Sequence, residues 1–207
     1  MLKQQIDIVK QTIINFCKEF INHPYLCYTE HGQHALFYSM LLQALPVSER
    51  YAYWQDKKVC VVQKEYPTAG KLGKPQRQHW DIALLKTPLM SIKTDSNSFD
   101  YLNLLAVVEF GMNEAAEHLI DDIARLDHEE AHVDHGFIVH LYRLSQPGNR
   151  FSNRDWSPNS PRILSVEKVK QISSGKPIEI IYALVDDTGQ HQSGIWSINQ
   201  GKMTVLY

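Results

Sequence analysis

Cysteine is scarce in this chain: Cys17, Cys27 and Cys60 are the only three in 207 residues. None sits in a CxxC spacing and the odd number leaves one unpaired, so a disulfide framework is excluded and the thiols read as reduced and intracellular. Long apolar runs are missing too. Nothing approaches the length of a membrane span, and the opening MLKQQIDIVKQ lacks the character of a signal peptide. The expected location is therefore the cytoplasm, with no membrane partner. Excess charge of either sign is absent, since 21 Lys+Arg face 23 Asp+Glu for a net charge of −2. Any nucleic-acid contact then requires a local basic patch. There is no GxSxG, no GxGxxG, no internal repeat and no low-complexity segment.

What is present fits an ordinary globular protein. Hydrophobic residues make up 43% and charged residues 21% of the chain, enough to bury a sizeable core. The sequence reads as one domain over 1–207. Its parts are N-terminal helices over 1–50, a core over 59–144, and a polar connection with C-terminal strands over 145–207. Residues 3–21 carry Ile6, Val9, Ile13, Phe16, Cys17 and Phe20 on one helical face, and Pro24 ends that pattern. A second helix is expected from about His31 to Leu45. Strands are expected at 59–66, 79–85, 104–110, 136–144, 178–185 and 193–198, with 203–207 as one more edge strand. Asp186-Asp187-Thr188-Gly189 reads as the turn between two of them. Residues 51–58 read as a turn, 87–101 as a loop and 145–161 as a long exposed connection.

The informative stretch is Leu104–Leu126, LLAVVEFGMNEAAEHLIDDIARL. A buried strand ends on Glu109, and Leu119, Ile120, Ile123 and Leu126 then recur at helical spacing. A carboxylate at the exit of a buried strand is costly unless it is paired, hydrogen-bonded or metal-bound. A second acid, Asp81, begins the short apolar strand His79–Leu85. In an antiparallel meander the two would share one sheet edge and form a hard-oxygen site suited to Mg²⁺ or Mn²⁺.

Three features together resemble the PD-(D/E)XK nuclease superfamily over roughly Tyr28–Leu144. They are the helical Glu30, the RxxxD-aliphatic run from Arg77 to Ile82, and VVEFG before an amphipathic helix. The resemblance implies a restriction-endonuclease-like α/β fold, a mixed sheet with helices on both faces, here with extra C-terminal strands. It also implies Mg²⁺- or Mn²⁺-dependent phosphodiester hydrolysis, with DNA or RNA as partner. Asp81, Glu109 and Glu30 would be the catalytic and metal-holding residues. Glu30 has an equally good structural role as an acid at a helix start. The family's acidic-x-Lys places Gly111 where the Lys belongs, and the next helix offers only Arg125. Activity is therefore expected to be weak or lost, and the alternative is a nuclease-like fold that acts as a binding module. Lys64, Lys71, Lys74 and Arg77 are the local candidates for a substitute cation.

Other motifs receive plainer readings. PTAGKLGKPQ (67–76) reads as a mobile solvated loop, with a basic flap over phosphates as its functional alternative. His128-Glu129-Glu130-Ala131-His132 fits the HExxH of zinc peptidases, but its polar surroundings suit a helix end and loop. Adventitious Zn²⁺ or Ni²⁺ binding by His128, His132 and His135 is the better expectation there. His31 and His34 are expected in solvent, and Glu65 on an exposed sheet edge.

Overall fold

A computed structural model describes residues 2–92, 101–114, 116–144, 176–186 and 192–207. Two helices come first, α1 (Leu2–Asn22) and α2 (Glu30–Ala44), followed by a hairpin of β1 (Tyr51–Trp54) and β2 (Lys57–Cys60). Then come β3 (Val62–Pro67), β4 (His79–Leu85), the short β5 (Ser91–Ile92) and β6 (Tyr101–Leu102), and β7 (Leu104–Met112). Helix α3 (Ala116–Asp127) leads to β8 (Val133–Leu144), and β9 (Ile178–Asp186), β10 (Gly194–Asn199) and β11 (Lys202–Val205) complete the chain.

Seven strands form one mixed sheet in the order β11-β10-β9-β8-β7-β4-β3. β3, β4 and β7 pair antiparallel, β7–β8 and β8–β9 pair parallel, and β9, β10 and β11 return to antiparallel pairing. The chain is thus a mixed α/β protein. β7 lies in the interior of the sheet because LLAVVEFG offers no polar face, and every residue from Leu104 to Gly111 is buried. α3 is the connection that a parallel β7–β8 pair demands.

Side chains alternate across β7 and assign the helices to their faces. Phe110 packs edge-on against Phe16 of α1 and Phe37 of α2, with ring centroids 5.6 and 5.2 Å away. Its neighbour Glu109 meets Arg125 of α3 on the opposite face. Helices therefore cover both faces, and the residue at each step of β7 decides which helix it touches. On α1, Val9, Ile13, Phe16, Cys17 and Phe20 form the buried stripe that the periodicity predicts.

Several expectations need correction. Residues 51–58 are not merely a turn but the β1–β2 hairpin, closed by Gln55 and Asp56 at positive φ. A Gln-Asp pair adopts this geometry without the Asn-Gly signal that marks it in sequence. The expected strand 59–66 is broken at Val61, whose amide donates to the Arg50 carbonyl instead of continuing one ladder. The 67–76 loop is packed: Thr68, Ala69 and Leu72 are buried, and Lys74 is paired with Asp121 of α3. The short β5–β6 ladder lies within the expected 87–101 loop and just after it, and 93–100 lie outside the described residues. The 145–161 connection and most of the Asp186–Gly189 turn lie outside them as well.

Phe110 locks α1 and α2 onto the sheet, so Phe110→Ala is expected to lower unfolding free energy by about 3–5 kcal/mol. Urea denaturation followed by tryptophan fluorescence measures this, and a loss under ~1 kcal/mol would contradict the packing described.

Candidate functional site

The two strand-end acids do meet. Ile82 pairs with Val108, so one residue further along each antiparallel strand sets Asp81 opposite Glu109. The ladder ends at that pair, and the Asp81 carboxylate takes over as acceptor, with Oδ2 receiving the Phe110 amide at 2.8 Å. Burial, opposed by this hydrogen bond and reinforced by Asp122 and Glu65, pushes Asp81 up to about 6.

Glu109 is only 2% exposed. Its Oε2 accepts from Arg125 Nη2 at 2.8 Å, and the same nitrogen donates to Asp122 Oδ1 at 2.7 Å. Oε1 of Glu109 is buried with no hydrogen-bond partner among the described residues. Desolvation, followed by the charge of Asp81, pushes Glu109 well above the ordinary carboxylate range, and Arg125 opposes this. The cation nearest the acids is thus Arg125, held charged by Glu109 and Asp122 against its own burial. Lys64 instead contacts Glu65, Lys74 pairs with Asp121, and Arg77 donates to the Thr68 and Ala69 carbonyls. Arg125 could have been found in the sequence: it lies three residues after Asp122, on the same helical face as its buried neighbours.

Glu30 approaches from α2. Thr29 caps the helix by accepting from the Gly32 amide at 3.1 Å, which leaves Glu30 as the first helical residue. Its Oε2 accepts from the amide of Met112, the last residue of β7, at 3.3 Å. Between Glu30 and Asp81 stands His34, whose Nε2 lies 3.9 Å from Glu30 Oε1 and 3.7 Å from Asp81 Oδ2. The structure therefore gathers all three expected acids around the end of β7, with Glu30 separated from Asp81 by an imidazole.

His34 is the clearest miss of the sequence reading. It is 1% exposed, not solvated, and its ring rests against Phe110 with centroids 5.2 Å apart. Burial pulls it down to about 4, against the raising influence of Glu30, so the ring is neutral at pH 7. Glu65 takes part as well: at φ +52 it interrupts the β3–β4 ladder, and its Oε1 lies 4.0 Å from His34 Nδ1 while the side chain stays half-exposed. His31, as expected, is exposed.

The absent lysine has a structural counterpart. A Cβ on Gly111 would lie 2.7 Å from Nε2 of His140, its partner in the parallel β7–β8 register. His140 is fully buried. Space that a side chain at position 111 would need is filled by an imidazole.

The HExxH segment is not one α-helix. α3 ends at Asp127, a 3-10 turn spans Glu129–Ala131, and His132 is left-handed. His128 Nδ1 accepts from the Glu130 amide, so the two histidines do not present the one-turn helical pair of a zinc peptidase.

The chain matches no family model, no curated protein and no solved structure. No helix of the described residues is long and apolar enough to cross a membrane.

Two outcomes follow from the geometry. Asp81 has a higher pKa in the fold than in the unfolded chain, where it lies at about 3.9, so its protonated form favours folding. That contribution is complete below about pH 4 and disappears as pH rises through about 6. Asp81→Asn keeps an acceptor for the Phe110 amide and is expected to exceed the wild type in stability at pH 7 by about 1–3 kcal/mol. The gap should close near pH 4 in urea titrations with chelator present. Gly111→Lys is expected to lower stability by about 1–3 kcal/mol through overpacking against His140, seen as a lower Tm without gain in any hydrolytic rate.

Proposed function

We propose that the chain is a nuclease-like protein of the PD-(D/E)XK type, carrying out slow metal-dependent phosphodiester hydrolysis on DNA or RNA. The observation that carries this reading is the placement of Asp81 opposite Glu109 where β4 and β7 end their ladder, beside the helical Glu30. The sheet supports it: β3, β4 and β7 pair antiparallel, α3 crosses over and β8 pairs parallel to β7, which makes a mixed sheet of the kind the resemblance implies.

The residues present suit a hard cation. Asp81 and Glu109 are carboxylates on adjacent strands, and the buried Glu109 Oε1 has no other hydrogen-bond partner among the described residues. Asp81 and Glu109 would hold Mg²⁺ or Mn²⁺, with Glu30 joining. When bound, such an ion polarises a phosphate and lowers the pKa of a water. His34, neutral at pH 7 and 3.7–3.9 Å from Asp81 and Glu30, would be the base beside these carboxylates. Arg125 orients Glu109 and offsets the negative charge of the cluster. Its Nη2 serves Glu109 and Asp122 and its Nη1 donates to the His79 carbonyl, and the side chain is buried, so neither terminal nitrogen is open to a substrate. A preorganised cation of the kind missing at Gly111 is worth about 2.7–4 kcal/mol, and slow turnover follows from its absence.

The second reading is a catalytically degenerate nuclease-like fold that acts as a binding or interaction module. It is favoured by the buried ion pair, in which Arg125 already neutralises the Glu109 carboxylate that a metal would otherwise share.

Calorimetric titration with Mn²⁺ is expected to show binding that weakens sharply in Asp81→Ala. Cleavage of plasmid DNA or RNA is expected to be slow, Mg²⁺- or Mn²⁺-dependent and abolished in Glu109→Ala. No cleavage across several metals and both nucleic acids would overturn the enzymatic reading and leave the binding module. Mn²⁺ binding unchanged in Asp81→Ala would remove the acids from the metal site.

A further inference from the structure

Beside the acidic cluster, on the α3 face of the sheet, a second set of donor atoms converges. His118 and Asp122 lie one turn apart on α3, and His140 comes from β8. His118 Nδ1 lies 3.2 Å and His140 Nε2 lies 3.8 Å from Asp122 Oδ2, and all three atoms fall within 4.8 Å of one another. Tetrahedral Zn²⁺ with ligand bonds of roughly 2.1 Å sets its donors about 3.4 Å apart. The two separations from Asp122, 3.2 and 3.8 Å, fall on either side of that value.

These atoms lack other partners. Asp122 is 1% exposed and His140 0%. Asp122 Oδ2, His140 Nε2 and His118 Nδ1 all stay without an aligned hydrogen bond among the described residues. Leaving buried polar atoms unpaired is expensive, and native folds avoid it. Two of the three residues are also held from behind. Arg125 occupies the other Asp122 oxygen at 2.7 Å, and the Tyr142 hydroxyl lies 3.3 Å from His140 Nδ1. With Nδ1–H donating to Tyr142, Nε2 keeps its lone pair for the cluster, which is the outer arrangement of metal-bound histidines. Gly111 has the same logic, since any side chain there would displace Nε2 from this position.

We propose that His118, Asp122 and His140 form a Zn²⁺ site with three protein ligands and an open fourth position. The opening lies on the His118 side, where that ring is 41% exposed and the other two ligands are shielded. Two imidazoles and one carboxylate select a borderline transition metal over Mg²⁺. The site is distinct from the Asp81–Glu109 pair and does not rest on the nuclease reading. Arg125 links the two through its contacts with Glu109 and Asp122.

The test uses the full chain, stripped with chelator and titrated calorimetrically with Zn²⁺, and separately with Co²⁺ followed by visible absorption. One equivalent of Zn²⁺ is expected to bind, with Co²⁺ giving the intense absorption of a four-coordinate site. His118→Ala, at a half-exposed position, should fold and weaken Zn²⁺ by at least the roughly tenfold that even outer-partner losses cause. His140→Gln should do the same, and a misfolded His140→Gln leaves His118→Ala decisive. Asp81→Asn should keep Zn²⁺ binding, so failure of the acidic site and failure of this one are separable. Absence of Zn²⁺ binding by the wild type, or unchanged binding in His118→Ala, would overturn the proposal. So would loss of binding in His31→Ala or His132→Ala instead, which would move the ion to another histidine cluster.

Discussion

The contact on which the site depends is the Arg125 guanidinium held between Glu109 and Asp122. A carboxylate on the interior strand of a sheet loses its hydration, and removing its partner would leave a buried charge that costs about 3–5 kcal/mol. α3 must therefore sit with one polar seam against β7, although the rest of that face, Leu119, Ile123 and Leu126, is apolar. Asp122 follows from the same constraint. One guanidinium serves two carboxylates, and Asp122 also draws His118 and His140 toward its second oxygen. Burial opposes ionisation of Asp122, but the two imidazoles outweigh it and hold the carboxyl below its usual range.

His140 in turn explains Gly111. Parallel register places the two residues side by side, and a buried ring there leaves no room for a Cβ. The residue that replaces the resemblance's lysine is thus part of a different polar arrangement, one built from α3 and β8. Glycine at position 111 and the His-Asp-His cluster are two aspects of the same packing.

Across the sheet the physics is different. Phe16, Phe37 and Phe110 interlock edge to face, and His34 lies against that aromatic cluster. The apolar wall keeps His34 neutral, while Glu30, Asp81 and Glu65 stand about 4 Å from its nitrogens. Asp81 belongs to both halves. Its carboxylate closes the broken ladder at the Phe110 amide, its charge is felt by Glu109 on the α3 face, and it lies 3.7 Å from His34 on the other.

Periodicity and composition by themselves determined the helices, the mixed α/β class, the interior position of 104–110 and the meeting of Asp81 with Glu109. The first three depend on local pattern, and the last on the assumption that the strands of Asp81 and Glu109 run antiparallel, as β4 and β7 do. The β1–β2 hairpin was hidden because Gln55 and Asp56 carry no turn signal. The packing of 67–76 was hidden because Gly, Pro and Lys look alike in a solvated loop and in one pinned by Leu72 and Asp121. His34 and His140 took their roles from tertiary structure alone, whereas helical spacing gives Arg125 its Asp122 neighbour but not its contact with Glu109. Whether a histidine is solvated or buried, and which acid an arginine meets, depends on residues brought in from other elements. Glu30 and Asp81 lie far from Met112 and Phe110 in sequence, yet each accepts one of those β7 amides. Only the folded sheet sets them there, because a backbone amide freed at the end of a ladder takes whichever acceptor the fold delivers.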